Sequence, residues 1–94
     1  MDKLLPIGSI VHIKESKCYT MIMGYCKPIQ NGEDIDWYEY MGCIHPVGFA
    51  DINANIVFHP EDIDEVIFEG MKNDDYEARV KEVQEFMDSL KASK

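Results

Sequence analysis

Apolar side chains follow two rhythms along this chain. Up to about residue 70 they alternate with polar ones or gather in short runs, as strands do. Beyond that point they recur every three or four positions, as on a helix. Leu4, Leu5 and Ile7 form a short anchoring segment that leads through Gly8-Ser9 into a first strand, Ile10 to Lys14, with Val11 and Ile13 on its inner face. Glu15-Ser16-Lys17 is a polar turn. Cys18 to Cys26 then reads as a second strand, antiparallel to the first because so short a connection allows only a hairpin. Its alternation sets Tyr19, Met21, Met23 and Tyr25 on one face and Cys18, Thr20, Ile22, Gly24 and Cys26 on the other. Both faces carry apolar groups, which predicts burial on both sides. Lys27 to Asp34 holds Pro28 and the dipeptide Asn31-Gly32, a strong turn signal.

A third strand is predicted from Ile35 to His45, completing a meander. Trp37, Glu39, Met41 and Cys43 alternate with Tyr38, Tyr40, Gly42 and Ile44, so this strand too reads as covered on both sides. Gly42 inside it signals a bulge, a bend or the close approach of another segment. Pro46 has no amide proton, so pairing ends near His45, and Gly48 permits a turn. Residues 51–55 read as a loop and Ile56-Val57-Phe58 as a short strand. Pro60-Glu61-Asp62-Ile63 suits one helical turn, and Glu65 to Glu69 is a fifth strand closed by Gly70.

The clearest element comes last. Tyr76, Val80, Val83, Met87 and Leu90 make a single apolar stripe with Phe86 beside it, which predicts a helix from about Asn73 to Lys91. Asn73 or Asp74 can cap it, Asp74 and Glu77 have capping-box spacing, and the acids of the first turn suit the helix dipole. Three turns of stripe are too few to favour a coiled-coil seam over docking on the sheet. The fold class is therefore α+β. We expect about five strands in a twisted antiparallel sheet, either open or curled into a partly open SH3-like barrel, with one C-terminal helix. Residues 1–94 form one domain, with a β-rich body over 1–72 and the helix and tail over 73–94.

Composition narrows the function classes. The 94 residues carry 9 basic and 18 acidic side chains, a net charge of −9. Residues 61–94 hold 11 of the acids against 5 bases. Such a surface repels phosphate backbones and anionic lipid, so neither nucleic acid nor a membrane is an expected partner. Cys18, Cys26 and Cys43 are odd in number and lack paired spacing, which argues against a disulfide framework and for reduced, buried thiols in a cytoplasmic protein. The N-terminus has no signal-peptide pattern, and no apolar run reaches the ~20 residues of a membrane span.

No constellation of residues discloses a reaction. Cys43 and His45 are two apart, but Cys18, Cys26, His12 and His59 lie on other segments, and structural zinc normally needs two close ligand pairs. Nothing in the sequence activates Cys43 as a nucleophile. Glu61, Asp62, Asp64 and Glu65 lack the spacing of a calcium loop or a glycosidase pair and read as a solvated acidic face. Gly24, Gly32 and Gly42 make no phosphate cradle. Catalytic, cofactor-binding and metal-binding residues are accordingly expected to be none, and no enzyme activity is expected.

Four motifs in order carry a resemblance. They are Leu4-Leu5-Pro6-Ile7-Gly8-Ser9-Ile10-Val11, Met21-Ile22-Met23-Gly24, Tyr40-Met41-Gly42-Cys43-Ile44-His45-Pro46-Val47-Gly48-Phe49, and Glu61-Asp62-Ile63-Asp64-Glu65-Val66-Ile67-Phe68-Glu69-Gly70. Over residues 4–70 the chain resembles a family of small proteins of unknown function from Gram-positive bacteria. Genes of that family often lie near those for type VII secretion and LXG-type polymorphic toxins. The resemblance implies a cytoplasmic, non-enzymatic accessory that binds a secreted toxin or its small helical partners, as a chaperone or targeting factor. An immunity protein that neutralises a toxin domain is the alternative. It supplies no catalytic residues.

Overall fold

The computed structural model describes residues 4–92. Five strands and one helix follow in order: β1 (Ile10–Ile13), β2 (Tyr19–Asn31), β3 (Asp34–His45), β4 (Ile56–Phe58), β5 (Ile63–Phe68) and α1 (Asp74–Ala92). The strands form one antiparallel sheet in the order β4-β3-β2-β1-β5. β4 and β5 stand at its two edges, so the sheet is open and not a closed barrel. The loop expected over 51–55 contains a short 3₁₀ turn, Ile52–Ala54, and the helical turn expected at Pro60 is a 3₁₀ turn over Pro60–Asp62.

The largest departure from expectation is the length of the β2–β3 ribbon. The segment 27–34 continues β2 up to Asn31, and only Gly32-Glu33 turns the chain before Asp34 pairs back with Asn31. Gly32 takes a φ of +65° at the first central position of this two-residue turn, where a side chain would be strained. Pro28 is tolerated opposite Trp37 because β1 pairs only with residues 19–21 of β2. Farther out, β2 is in effect an edge strand and needs no donor on that side.

Gly42 is a site of close approach. A Cβ there would stand 2.6 Å from the Met21 carbonyl oxygen and 2.7 Å from the Thr20 methyl. The irregularity lies on β2, where the register shifts between Ile22 and Gly24. Cys26 adopts a φ of +57° farther along the same strand. Extra residues of this kind increase local twist. Accordingly Trp37 and Tyr40, three apart on β3, both pack against the core, which strict alternation does not allow.

That core is built from Leu4, Leu5, Val11, Ile22, Tyr40 and Phe58, with Val80, Val83 and Met87 of α1 laid over them. Tyr76 and Leu90 extend the stripe at its two ends as expected. Asn73 caps the helix, its Oδ1 accepting from the Tyr76 amide at 2.9 Å, so Asp74 is the first helical residue and not the cap. Three tyrosine hydroxyls hold the N-terminal segment in place. Tyr40 Oη accepts from the Leu5 amide at 2.9 Å, Tyr25 Oη donates to the Leu5 carbonyl at 2.5 Å, and Tyr76 Oη donates to the Leu4 carbonyl at 2.6 Å. Backbone groups on a buried segment outside the sheet are thereby satisfied.

The helix covers one face only. Ile10, Met21 and Cys43 are register neighbours across β1, β2 and β3, and alternation turns them away from Val11 and Ile22. The two-sided cover expected of β2 and β3 is therefore not complete: Met21, Met23 and Met41 stay partly exposed. Of the thiols, only Cys43 is buried; Cys18 is exposed and Cys26 half-buried, and all three are free. No described helix is long and apolar enough to cross a membrane.

Candidate functional site

Two places stand out on the surface. The first arises where β3 meets β4. The pairing of Tyr40 with Phe58 carries Glu39 alongside His59, the residue that follows β4. His59 Nδ1 lies 2.6 Å from Glu39 Oε1. The Tyr38 ring stacks on the imidazole with centroids 4.6 Å apart and an angle of 23° between the planes. The His59 amide donates to Asp62 Oδ2 at 2.9 Å, which fastens the backbone of the turn that Pro60 begins. Glu61, on that turn, completes a group whose ligand atoms all lie within 4.8 Å of one another. The group sits on a cleft of about 560 Å³, whose lining also includes Asp36, Trp37, Met87 and Leu90. Phe86 closes against Trp37 edge-on, with ring centroids 5.2 Å apart.

The thiols and imidazoles singled out in the sequence do not converge. Cys43 is sealed within the sheet while His45 is exposed at the end of β3. Burial pushes the Cys26 thiol above its ordinary pKa, which disfavours the nucleophilic thiolate. His12 Nδ1 pairs with Asp64 Oδ1 at 2.6 Å, and its Nε2 lies 2.9 Å from the Ser16 carbonyl. The Asp64 hydrogen bond, followed by that of Ser16, raises the imidazole's pKa. Glu61, Asp64 and Glu65 are exposed, as expected of a solvated acidic face, and Asp62 is half-buried; Asp62 and Asp64 also take the specific partners described above. Sequence reasoning missed Glu39. It lies 20 residues from His59, and no local spacing announces the pair.

The second place is an apolar groove of about 440 Å³ on the face without the helix, lined by Gly8, Ile10, Tyr19, Met21, Ile67 and Phe68, with His45 at one end. Phe68 pairs with Ile10, and Ile10 with Met21, so the register itself aligns these side chains across three strands. Phe68 is 60% exposed and Tyr19 44%. The groove's lining is apolar apart from the Tyr19 hydroxyl and the His45 imidazole.

The fold and these surfaces define a small α+β domain: an open five-stranded antiparallel sheet with one helix across a single face. Residues 4–79 match the family described as Domain of unknown function (DUF4176), and the chain belongs to that family. No curated protein matches the chain, and neither does any solved structure.

Proposed function

We propose that the protein is a non-enzymatic, protein-binding accessory factor, a chaperone or targeting factor for a type VII secretion toxin of the LXG type. The observation that carries this reading is the apolar groove over Ile10, Met21 and Phe68 on the helix-free face. Exposed apolar surface of this kind is costly to maintain and marks contact sites. The occupant that fits is an amphipathic helix of the toxin's leader or of its small helical partners, laid with its apolar stripe in the groove. Lysines or arginines on that helix would face a chain of net charge −9, a complementarity that favours encounter and orientation. The four sequence motifs that resemble the type VII-associated family support the choice of partner.

The test is co-expression of the untagged protein with an LXG-type toxin encoded beside its gene and the toxin's small helical partners, followed by size exclusion. The expected result is co-elution, lost when Phe68 is replaced by serine. Absence of any complex would overturn the proposal. Rescue of cells that express the toxin's catalytic domain alone would assign the protein to immunity instead.

A further inference from the structure

We propose that Glu39, His59 and Glu61 form a binding site for a divalent transition-metal cation of the zinc class. The inference is independent of the groove and of the partner that occupies it. It rests on the donors that the β3–β4 register and the Pro60–Asp62 turn bring together: one imidazole and two carboxylates, with ligand atoms inside 4.8 Å of one another in the lining of a cleft.

The donor set selects the ion. Calcium and magnesium favour sites made of oxygen alone, and an imidazole nitrogen with two carboxylate oxygens suits zinc and its neighbours. Donors around a zinc ion at ~2.0–2.1 Å stand roughly 3.3 Å apart. Glu39 and His59 are already closer than that, at 2.6 Å, so the pair would part slightly to admit a cation between them. Glu61 is exposed, so its carboxylate has the rotamer freedom to close in. The imidazole needs no such search, since Tyr38 is stacked on its face and the turn's backbone is tied through Asp62. Two carboxylates in a chain of net charge −9 attract a dication, and its charge offsets their mutual repulsion. Three protein donors leave at least one position for water, so the site is an open one.

Rival sites are poorer. Among the described residues, His12 and Asp64 offer two side-chain donors and no third. None of the three thiols belongs to this group: Cys43 is buried, Cys18 is exposed, and Cys26, half-buried, feels the Glu39 carboxylate without joining it.

The experiment uses the untagged full chain, stripped with chelator. Zinc is titrated by calorimetry, and cobalt(II) is followed by absorption. We expect one saturable site per chain and a cobalt spectrum free of thiolate charge transfer. His59→Ala and Glu61→Gln should each weaken zinc binding by about tenfold or more. Cys43→Ser should leave it unchanged. Glu61 is exposed, so its variant should keep the parent far-ultraviolet circular dichroism and report on ligation, not folding. The proposal is overturned by the absence of saturable binding, by affinity that survives both Glu61→Gln and His59→Ala, or by a thiolate band in the cobalt spectrum.

Discussion

The two faces of the sheet receive opposite treatment. On one, α1 and the N-terminal segment seal Val11, Ile22 and Tyr40 completely, and three tyrosine hydroxyls satisfy the backbone that lies among them. On the other, Phe68 and Tyr19 keep about half of their surface in water. Similar residue types occupy both faces, so hydrophobicity does not separate them. They differ in whether this chain supplies the covering element. A face closed from within contributes to stability, and a face left open is available to something else. Substitutions should therefore have unlike consequences on the two sides.

The largest effect is expected at the centre of the sealed face. Val83→Asp places a carboxylate where only 2% of the residue reaches solvent. The cost should be of order 3–5 kcal/mol in denaturant unfolding, the range for an uncompensated buried charge. An unchanged melting temperature would mean that α1 does not close this face. Gly42→Ala comes next, at about 1–3 kcal/mol, because the added methyl meets the Met21 carbonyl oxygen at 2.6 Å and backbone yields poorly.

A smaller effect should appear with pH. Burial, reinforced by Tyr76 and Tyr40, pushes the Tyr25 hydroxyl up to about 12 from its ordinary value of 10.0. The folded chain thus keeps a proton that the unfolded chain loses first. The resulting stability is complete below pH 10 and disappears as the pH rises to about 12. Unfolding midpoints measured across that interval should fall more steeply for the parent than for Tyr25→Phe. The smallest change in stability belongs to the open face. Phe68→Ser should stay within about 0.5 kcal/mol of the parent, as exposed substitutions do, while abolishing the complex of the binding assay. A large loss of stability there would show that this face is closed after all.

The sealed face was the more legible in the sequence. Its helix announces itself because Tyr76, Val80, Val83, Met87 and Leu90 repeat at a period set by local geometry. The strand around Tyr40 and the short strand at Ile56 were legible for the same reason. The β2–β3 ribbon was not read to its full length, since Pro28 signals a break and only tertiary pairing shows that it needs no donor; Asn31-Gly32 does mark the place where the chain turns. Alternation marks two apolar faces on β2 and β3 without saying which one a single helix will cover. Closure of the sheet was undecided for a similar reason: whether two edges meet depends on twist accumulated over all five strands. His59 and Glu61 are neighbours in the chain, but Glu39 could not be joined to them from the sequence because β3–β4 pairing, and no sequence interval, brings it there.

The ribbon has one further consequence. Near its base it is flanked by β1 and β4, but those neighbours reach only residues 19–21 and 40–42. Farther out, Tyr25, Trp37 and Tyr38 still reach Leu5, Phe86 and His59, and from Pro28 to Asp36 the two strands pair with each other. A lone pair of strands is only marginally stable in water. The molecule therefore has two tempos: amide protons of the outer ribbon should trade with deuterium through local opening, well ahead of those around Ile22 and Tyr40, which wait for the whole domain to come apart.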